Sequence, residues 1–333
     1  MFFKSIDDLN RDIVQNLHRI PHDIDIIVGV PRSGLFVASI IALYLNMPLV
    51  DLQGFISGRV FQSGKRLAEN IFQKKIRKVL VVEDSVLSGN SLVEAKNKME
   101  HYMKSRKIEL EIIYFAAYVL PECCNIVDFY LDTCQLPRAF EWNIMHHEMI
   151  ENSCFDLDGV LCIDPKPAED DDEINYISFI KNAQPLFIPS REIGSIVTCR
   201  LEKYRDYTED WLKRNNIRYK RLIMMNYSTK EERIRSDMHA DFKAEWYKKL
   251  NAAIFIESNL KQAVEIAKLA NKPVYCVEIR KIVYPNASID DCHINLGGPN
   301  RKIYFKSKLK SVKYKVKNKM PVLYKILKLI FVR

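Results

Sequence analysis

The chain has 333 residues, 48% hydrophobic and 28% charged, which is a globular composition and enough length for two domains. With 10 Gly and 13 Pro it is neither collagen-like nor a long flexible linker, and it lacks the run of about 18 apolar residues that a membrane-spanning helix needs. The formal net charge of +9 is unevenly placed: residues 301–333 hold 12 Lys or Arg and no acid, leaving 39 of the 51 basic residues against 42 acidic ones elsewhere. A one-signed block of this kind contacts phosphates or anionic lipid. The first ten residues, MFFKSIDDLN, are acidic and lack an apolar stretch with a small-residue cleavage site, so no secretory signal is expected. Eight cysteines without a C-x-x-C pair, in a chain too long to need disulfides, read as reduced thiols of a cytoplasmic protein.

Residues 24–30 (IDIIVGV) are a short β-branched run and predict a buried strand. The turn Pro31-Arg32-Ser33-Gly34 follows, and then a helix over 35–46. A strand at 79–83 (VLVVE), a polar turn, a helix from Ser91 to Lys104 and a strand at 111–119 complete the first series. The alternation restarts at Cys154-Phe155-Asp156. Strands are expected at 153–156, 195–199, 221–225, 253–257 and 274–278, and helices at 204–215, 241–250 and 259–271. Strands alternating with helices predict an α/β fold: two doubly wound domains, each a mainly parallel sheet with flanking helices. The expected domains are 1–150 and 151–297, with the join inside 143–152 and a basic amphipathic tail over 298–333. The acidic run 169–173 reads as a solvated loop.

The first chemical constellation spans Val79 to Ser91. A buried strand ends in Glu83 and Asp84, followed by Ser85, Val86, Leu87, Ser88, Gly89, Asn90 and Ser91, where a helix begins. Backbone N–H groups at a helix N-terminus form an anion site, the serines add hydroxyl donors, and Gly89 permits close approach of a phosphate. Two carboxylates beside such a site can hold a diol, so a 5-phosphorylated ribose fits. The ordinary alternative is a strand–turn–helix with acids at its tip.

This segment resembles the motif of the type I phosphoribosyltransferases for 5-phosphoribosyl 1-pyrophosphate (PRPP): four apolar residues, two acids, two mostly apolar residues, a small or hydroxyl pair, Gly, any residue, then Ser or Thr. The chain departs from it at Ser85 and Leu87. The resemblance implies that Glu83, Asp84, Ser85, Ser88, Gly89, Asn90 and Ser91 bind PRPP. It further implies that Arg32, Ser33 and Gly34, after the first strand, bind the leaving pyrophosphate. Residues 54–72, with Gly54, Ser57, Gly58, Arg59, Ser63, Gly64, Lys65 and Arg66, take the place of a mobile loop that closes over the donor; a solvated hairpin is the plainer reading. The implied chemistry is displacement at the anomeric carbon, with Mg²⁺ neutralising developing charge and inversion to a β-ribofuranosyl 5-phosphate. Arg138-Ala139-Phe140-Glu141-Trp142-Asn143, with His146 and His147 beyond, either lines the acceptor pocket or packs the domain. Glu141 is a candidate base for a hydroxyl acceptor.

The second constellation is Asp156-Leu157-Asp158-Gly159-Val160 after a strand. It resembles motif I of the haloacid dehalogenase superfamily of phosphatases. The resemblance implies that Asp156 is the nucleophile and Asp158 the general acid and base. Thr198, at a strand end, stands for the phosphoryl-binding hydroxyl, and Lys243 for the motif III cation, with Lys230 and Arg235 as alternatives. Glu257 stands for the motif IV acid; the usual second acid is absent and Ser258 and Asn259 stand nearby. Asp156, the Asp158 carbonyl and Glu257 would hold Mg²⁺. Only about 40 residues separate motifs I and II, too few for a large cap domain.

Residues 303–319 alternate apolar and Lys side chains, and 320–333 (MPVLYKILKLIFVR) are apolar with scattered cations. Fourteen residues are too short to span a bilayer but can lie in an anionic interface. Nucleic acid is the less favoured partner, because of the bulky aliphatic residues. Taken together, the chain is expected to transfer ribofuranosyl 5-phosphate from PRPP to a glycan or lipid-linked glycan acceptor and then remove the 5-phosphate. In this it resembles bifunctional enzymes of bacterial polysaccharide assembly that install ribofuranose. The expected location is the cytoplasmic face of the inner membrane, with peripheral contact through 301–333. The alternatives are a nucleobase phosphoribosyltransferase with nucleotidase activity, or a PRPP-sensing nucleic-acid-binding regulator.

Overall fold

A computed structural model describes residues 1–59, 75–236 and 238–294. Most of the expected mobile loop and the whole basic tail therefore lie outside the described residues. The chain divides into two compact units, Met1–Ile144 and Met145–Arg333.

In the first unit, β1 (Phe2–Lys4) leads into α1 (Ile6–Asn16), which starts at a reciprocal capping box between Ser5 and Asp8. Then come β2 (Ile26–Gly29), α2 (Ser33–Leu45), β3 (Leu49–Asp51), α3 (Leu52–Ile56), β4 (Lys78–Val86), α4 (Asn90–Arg106), β5 (Glu111–Val119), β6 (Phe129–Thr133) and β7 (Arg138–Phe140). Five strands form one sheet in the order β3-β2-β4-β5-β6, every neighbouring pair parallel. Strand β4 is central, and its side chains alternate between two cores. Leu80 and Val82 pack with Leu9, Ile13, Val37 and Ile41, while Val79 and Val81 pack with Phe55, Ala95 and Met99. Burial on both faces is why this strand reads as a continuous apolar run.

In the second unit, β8 (Ser153–Phe155), α5 (Ile174–Asn182), β9 (Ser195–Leu201), α6 (Arg205–Arg214), β10 (Leu222–Met225), α7 (Lys230–Ser236), α8 (His239–Lys249), β11 (Ile254–Glu257), α9 (Leu260–Ala270), β12 (Val274–Cys276), β13 (Lys281–Val283) and α10 (Ile289–Ile294) follow. The sheet order is β10-β9-β8-β11-β12-β13, parallel except for β13, which runs antiparallel on β12. Both units are therefore α/β, with mainly parallel sheets between helices.

Two differences from the sequence reading bear on function. Strand β4 does not stop at Glu83: it stays paired with β5 as far as Val86 against Val119. Glu83 and Asp84 thus lie within the strand, where neighbours ordinarily face opposite ways. The small parallel pair β1 and β7 joins Phe2 to Arg138 across the unit, a pairing of three-residue strands that local pattern does not reveal.

Candidate functional site

In the first unit the two motifs meet. Strands β2 and β4 are adjacent, so the loop after β2 and the end of β4 emerge side by side. Val30 N donates to Val82 O (2.9 Å), tying the loop down, and α2 starts at Ser33. A Cβ added at Gly34 would lie 2.6 Å from Val82 O, 3.0 Å from Glu83 Cα and 3.1 Å from Glu83 Oε1. Only glycine lets the Arg32-Ser33-Gly34 turn approach the acid this closely. Gly89, at φ +79°, occupies the N-cap position of α4 and fits the left-handed conformation that glycine adopts without cost.

A cleft of about 140 Å³ is lined by Glu83, Ser85, Ser88, Gly89, Asn90 and Ser91, among others. Glu83 Oε2 accepts from Ser91 Oγ (2.7 Å) and Oε1 from Asp84 N (3.1 Å). Burial, with the neighbouring Asp84 charge, pushes Glu83 up to about 8. The Asp84 carboxyl is buried beside that of Glu83, with a hydrogen bond between the two side chains, and its Oδ2 accepts from the indole N–H of Trp142 (2.9 Å). Arg32 is exposed on the loop before α2. Arg138 is buried against Val86 O, Cys134 Sγ and the ring of Phe140. Glu141 Oε2 accepts from Ile6 N (2.7 Å) at the start of α1, so its carboxylate has a structural contact. His146 Nδ1 meets Ser190 Oγ (3.1 Å), and His147 caps a short 3₁₀ turn by accepting from Met149 N.

In the second unit β8 lies between β9 and β11, which brings the ends of three strands together. Asp156 follows β8, Thr198 lies in β9 and Glu257 ends β11. Lys243, on α8, is 1% exposed and spans the two acids: its Nζ donates to Asp156 Oδ2 (2.7 Å), Glu257 Oε2 (2.7 Å) and Gln262 Oε1 (2.9 Å). Burial opposes the Lys243 charge, but Asp156 and Glu257 outweigh it and hold the ammonium above its ordinary value. Burial, together with Glu257, pushes Asp156 upward against the pull of Lys243. Of the alternative cations, Lys230 pairs with Asp170 (2.8 Å), so Lys243 is the one on the nucleophile candidate.

Asp158 is clamped by Arg200, which donates from Nη2 to Oδ1 (2.6 Å) and from Nε to Oδ2 (3.0 Å). Arg200 is fully buried, and sequence reading missed it. It stands two residues after Thr198 on β9, in a stretch where the pairing with β10 shifts register, so simple alternation does not assign its face. Thr198 Oγ1 accepts from Arg200 N (3.2 Å). A cavity of about 360 Å³ opens here, lined by Asp156, Asp158, Thr198 and Lys243 together with Asp164, Tyr176, Arg233 and His239 from segments that no motif had marked.

Among the described residues no group of three or more His, Cys, Asp or Glu side chains forms a ready metal site. The donor set expected for Mg²⁺ comprises two carboxylates and one carbonyl, all hard oxygens. Two of them converge: Ser258 Oγ lies 3.4 Å from Asp158 O and 3.3 Å from Glu257 Oε1. These donor types suit Mg²⁺, while Asp156 and Glu257 are joined here by Lys243 Nζ.

The sequence pattern of the phosphoribosyl transferase domain matches residues 2–143. The first unit therefore carries a type I phosphoribosyltransferase domain. Among curated proteins none matches the chain. Solved structures similar to it include a purine phosphoribosyltransferase from Pyrococcus horikoshii Ot3, 18% identical, covering 42% of this chain and 92% of that one at a TM-score of 0.31. The xanthine-guanine-hypoxanthine phosphoribosyltransferase of Helicobacter pylori is 14% identical, covering 43% and 92% at 0.31. The UMP synthase of Leishmania donovani is 20% identical, covering 38% and 26% at 0.25. No helix among the described residues is long and apolar enough to cross a membrane.

Proposed function

We propose that the protein transfers ribofuranosyl 5-phosphate from PRPP to a hydroxyl of a glycan, lipid-linked in the cell, and then hydrolyses the 5-phosphate. The observation that supports the transfer is the seating of Gly34 on Glu83, which sets a pyrophosphate loop beside a diol-binding acid and the Ser88–Ser91 turn. In the transfer, the amides and hydroxyls of Ser88, Gly89, Asn90 and Ser91 hold the 5-phosphate, and Glu83 and Asp84 accept from the ribose hydroxyls. Arg32, Ser33 and Gly34 hold the leaving pyrophosphate. The bond from C1 to the pyrophosphate oxygen breaks as the acceptor hydroxyl oxygen bonds C1 from the opposite face and releases its proton to solvent, which gives the β-configured product. Mg²⁺, when bound with PRPP, neutralises charge on the departing pyrophosphate.

For the second step the reading rests on the Asp156–Lys243–Glu257 cluster at the end of the sheet, beside Thr198. An oxygen of Asp156 attacks phosphorus, the P–O bond to C5 of the ribose breaks, and the leaving oxygen takes a proton from Asp158. Water then attacks the aspartyl phosphate, its proton goes to Asp158, and inorganic phosphate leaves. The Arg200 guanidinium has only donors, so the pairing seen here needs Asp158 as a carboxylate. Proton donation to the leaving oxygen requires that pair to part. Asp156, the Asp158 carbonyl and Glu257 would hold Mg²⁺, which supplies charge neutralisation at the transferring phosphoryl group. Removing the 5-phosphate is productive on a glycan but would discard the value of a nucleotide, which is why the glycan acceptor is preferred. Membrane contact through 301–333 would bring the chain to such an acceptor; the segment holds 12 cations and a bulky apolar end.

The test is product mass spectrometry with PRPP, Mg²⁺ and membrane glycan. Wild type should yield a ribosylated glycan, pyrophosphate and phosphate, and Asp156→Asn should yield the 5-phosphorylated glycan. Pyrophosphate release with a nucleobase but with no glycan would overturn the acceptor, and no accumulation in the Asp156→Asn variant would overturn the phosphatase.

A further inference from the structure

Asp84 is 7% exposed, and Trp142, 58 residues away in sequence, donates its indole N–H to Asp84 Oδ2 at 2.9 Å. The indole is held in place by other rings. It stacks on Phe140 (centroids 4.7 Å apart, 10° between planes), and Phe140 stacks on Tyr118 (5.4 Å, 19°). Phe36 of α2 packs against it at 6.2 Å. Rings from α2, β5 and β7 thus fix the direction of a single donor, and that donor meets one of the two motif acids.

Alternation along β4 explains the need. Neighbours on a strand ordinarily face opposite ways, yet the Asp84 and Glu83 carboxyl groups meet, with the Trp142 indole holding Asp84 Oδ2. An indole nitrogen donates and never accepts, so Trp142 supports Asp84 only as an acceptor. The ribose diol calls for acceptors. We propose that Trp142 is a positioning residue of the phosphoribosyl-donor site, which fixes the Asp84 carboxylate as an acceptor for the diol and acts on PRPP only through it. The inference rests on the PRPP reading of the first unit. Charged groups facing Asp84 are Glu83 on its own strand and Arg138 on β7. Burial pushes the Asp84 carboxyl up, and the Trp142 hydrogen bond is the first contact to oppose this, followed by Glu83 and Arg138.

The test is calorimetry of the full chain with PRPP and Mg²⁺. Trp142→Phe keeps a stacked ring and removes the donor. Loss of a hydrogen bond to a charged group corresponds to roughly 10–100-fold weaker binding. Asp84→Asn should weaken binding too, and the Trp142→Phe/Asp84→Asn double variant should bind no worse than Asp84→Asn alone, because residues acting as one unit are not additive. Binding by Trp142→Phe equal to wild type, or a double variant that loses the product of both single losses, overturns the inference. Wild type that binds no PRPP overturns the donor reading instead. A second measurement needs no substitution: in wild type labelled with ¹⁵N-tryptophan, one of the three indole N–H resonances should shift on adding PRPP, and three unmoved resonances count against it.

Discussion

Gly34→Ala probes the contact on which the donor site depends. The added Cβ would lie 2.6 Å from Val82 O, about 0.8 Å inside the 3.4 Å at which ordinary contact begins, and 3.0 Å from Glu83 Cα. Both are backbone atoms of the central strand β4, paired on both sides by β2 and β5, so they have nowhere to go. The turn carrying Arg32 and Ser33 must therefore lift off the strand. Overpacking of this kind costs about 1–3 kcal/mol, and a domain of this size loses roughly 2–4 °C of Tm per kcal/mol. Function should suffer more, because a loop displaced by that distance loses its contacts to pyrophosphate. One hydrogen bond to a charged group is worth about 1.5–3 kcal/mol, so PRPP affinity should fall roughly 10–100-fold while the fold survives. Titration calorimetry with PRPP and Mg²⁺, beside a thermal melt, separates the two effects. A folded Gly34→Ala chain that binds PRPP within twofold of wild type would refute the reasoning.

Two further outcomes follow from buried charges. Lys243→Met leaves Asp156 and Glu257 buried side by side without their cation, and removing one partner of a buried pair costs about 3–5 kcal/mol. The melting transition of the second unit should fall by roughly 10 °C, with loss of phosphate release from p-nitrophenyl phosphate; a variant that melts and turns over like wild type sinks that assignment. Glu83, raised to about 8 in the folded chain against about 4.3 when unfolded, keeps its proton longer in the native state. The native state then binds more protons than the unfolded one across this interval, so its contribution to stability is greatest below pH 4.3 and declines until pH 8. The slope is on the order of 1 kcal/mol per pH unit. Urea midpoints of wild type and Glu83→Gln between pH 5 and 9 should show the decline flattened in the variant; parallel curves would exclude it.

Much of this protein can be read from local pattern. The β-branched runs at 26–29 and 79–82 must be buried strands, because their side chains are apolar on both faces, and turns rich in Gly and Ser after them must change direction. The two adjacent acids and the D-x-D pair are visible as letters, and so is the uneven charge of residues 301–333. Pattern also located the helices that carry Ser91 and Lys243, since those helices have apolar faces of their own.

Only the tertiary structure decided what these residues touch. That Gly34 sits on Glu83 depends on β2 pairing with β4, a contact between strands about 50 residues apart that no local periodicity encodes. Arg200 on Asp158, Lys243 between Asp156 and Glu257, and Trp142 on Asp84 are all partnerships across long sequence separations. The physical reason is the same in each case. A chain's local preferences set which groups are buried or turned outward, but a buried charge or donor takes the partner that the packed sheet delivers, and that choice is made when the strands assemble.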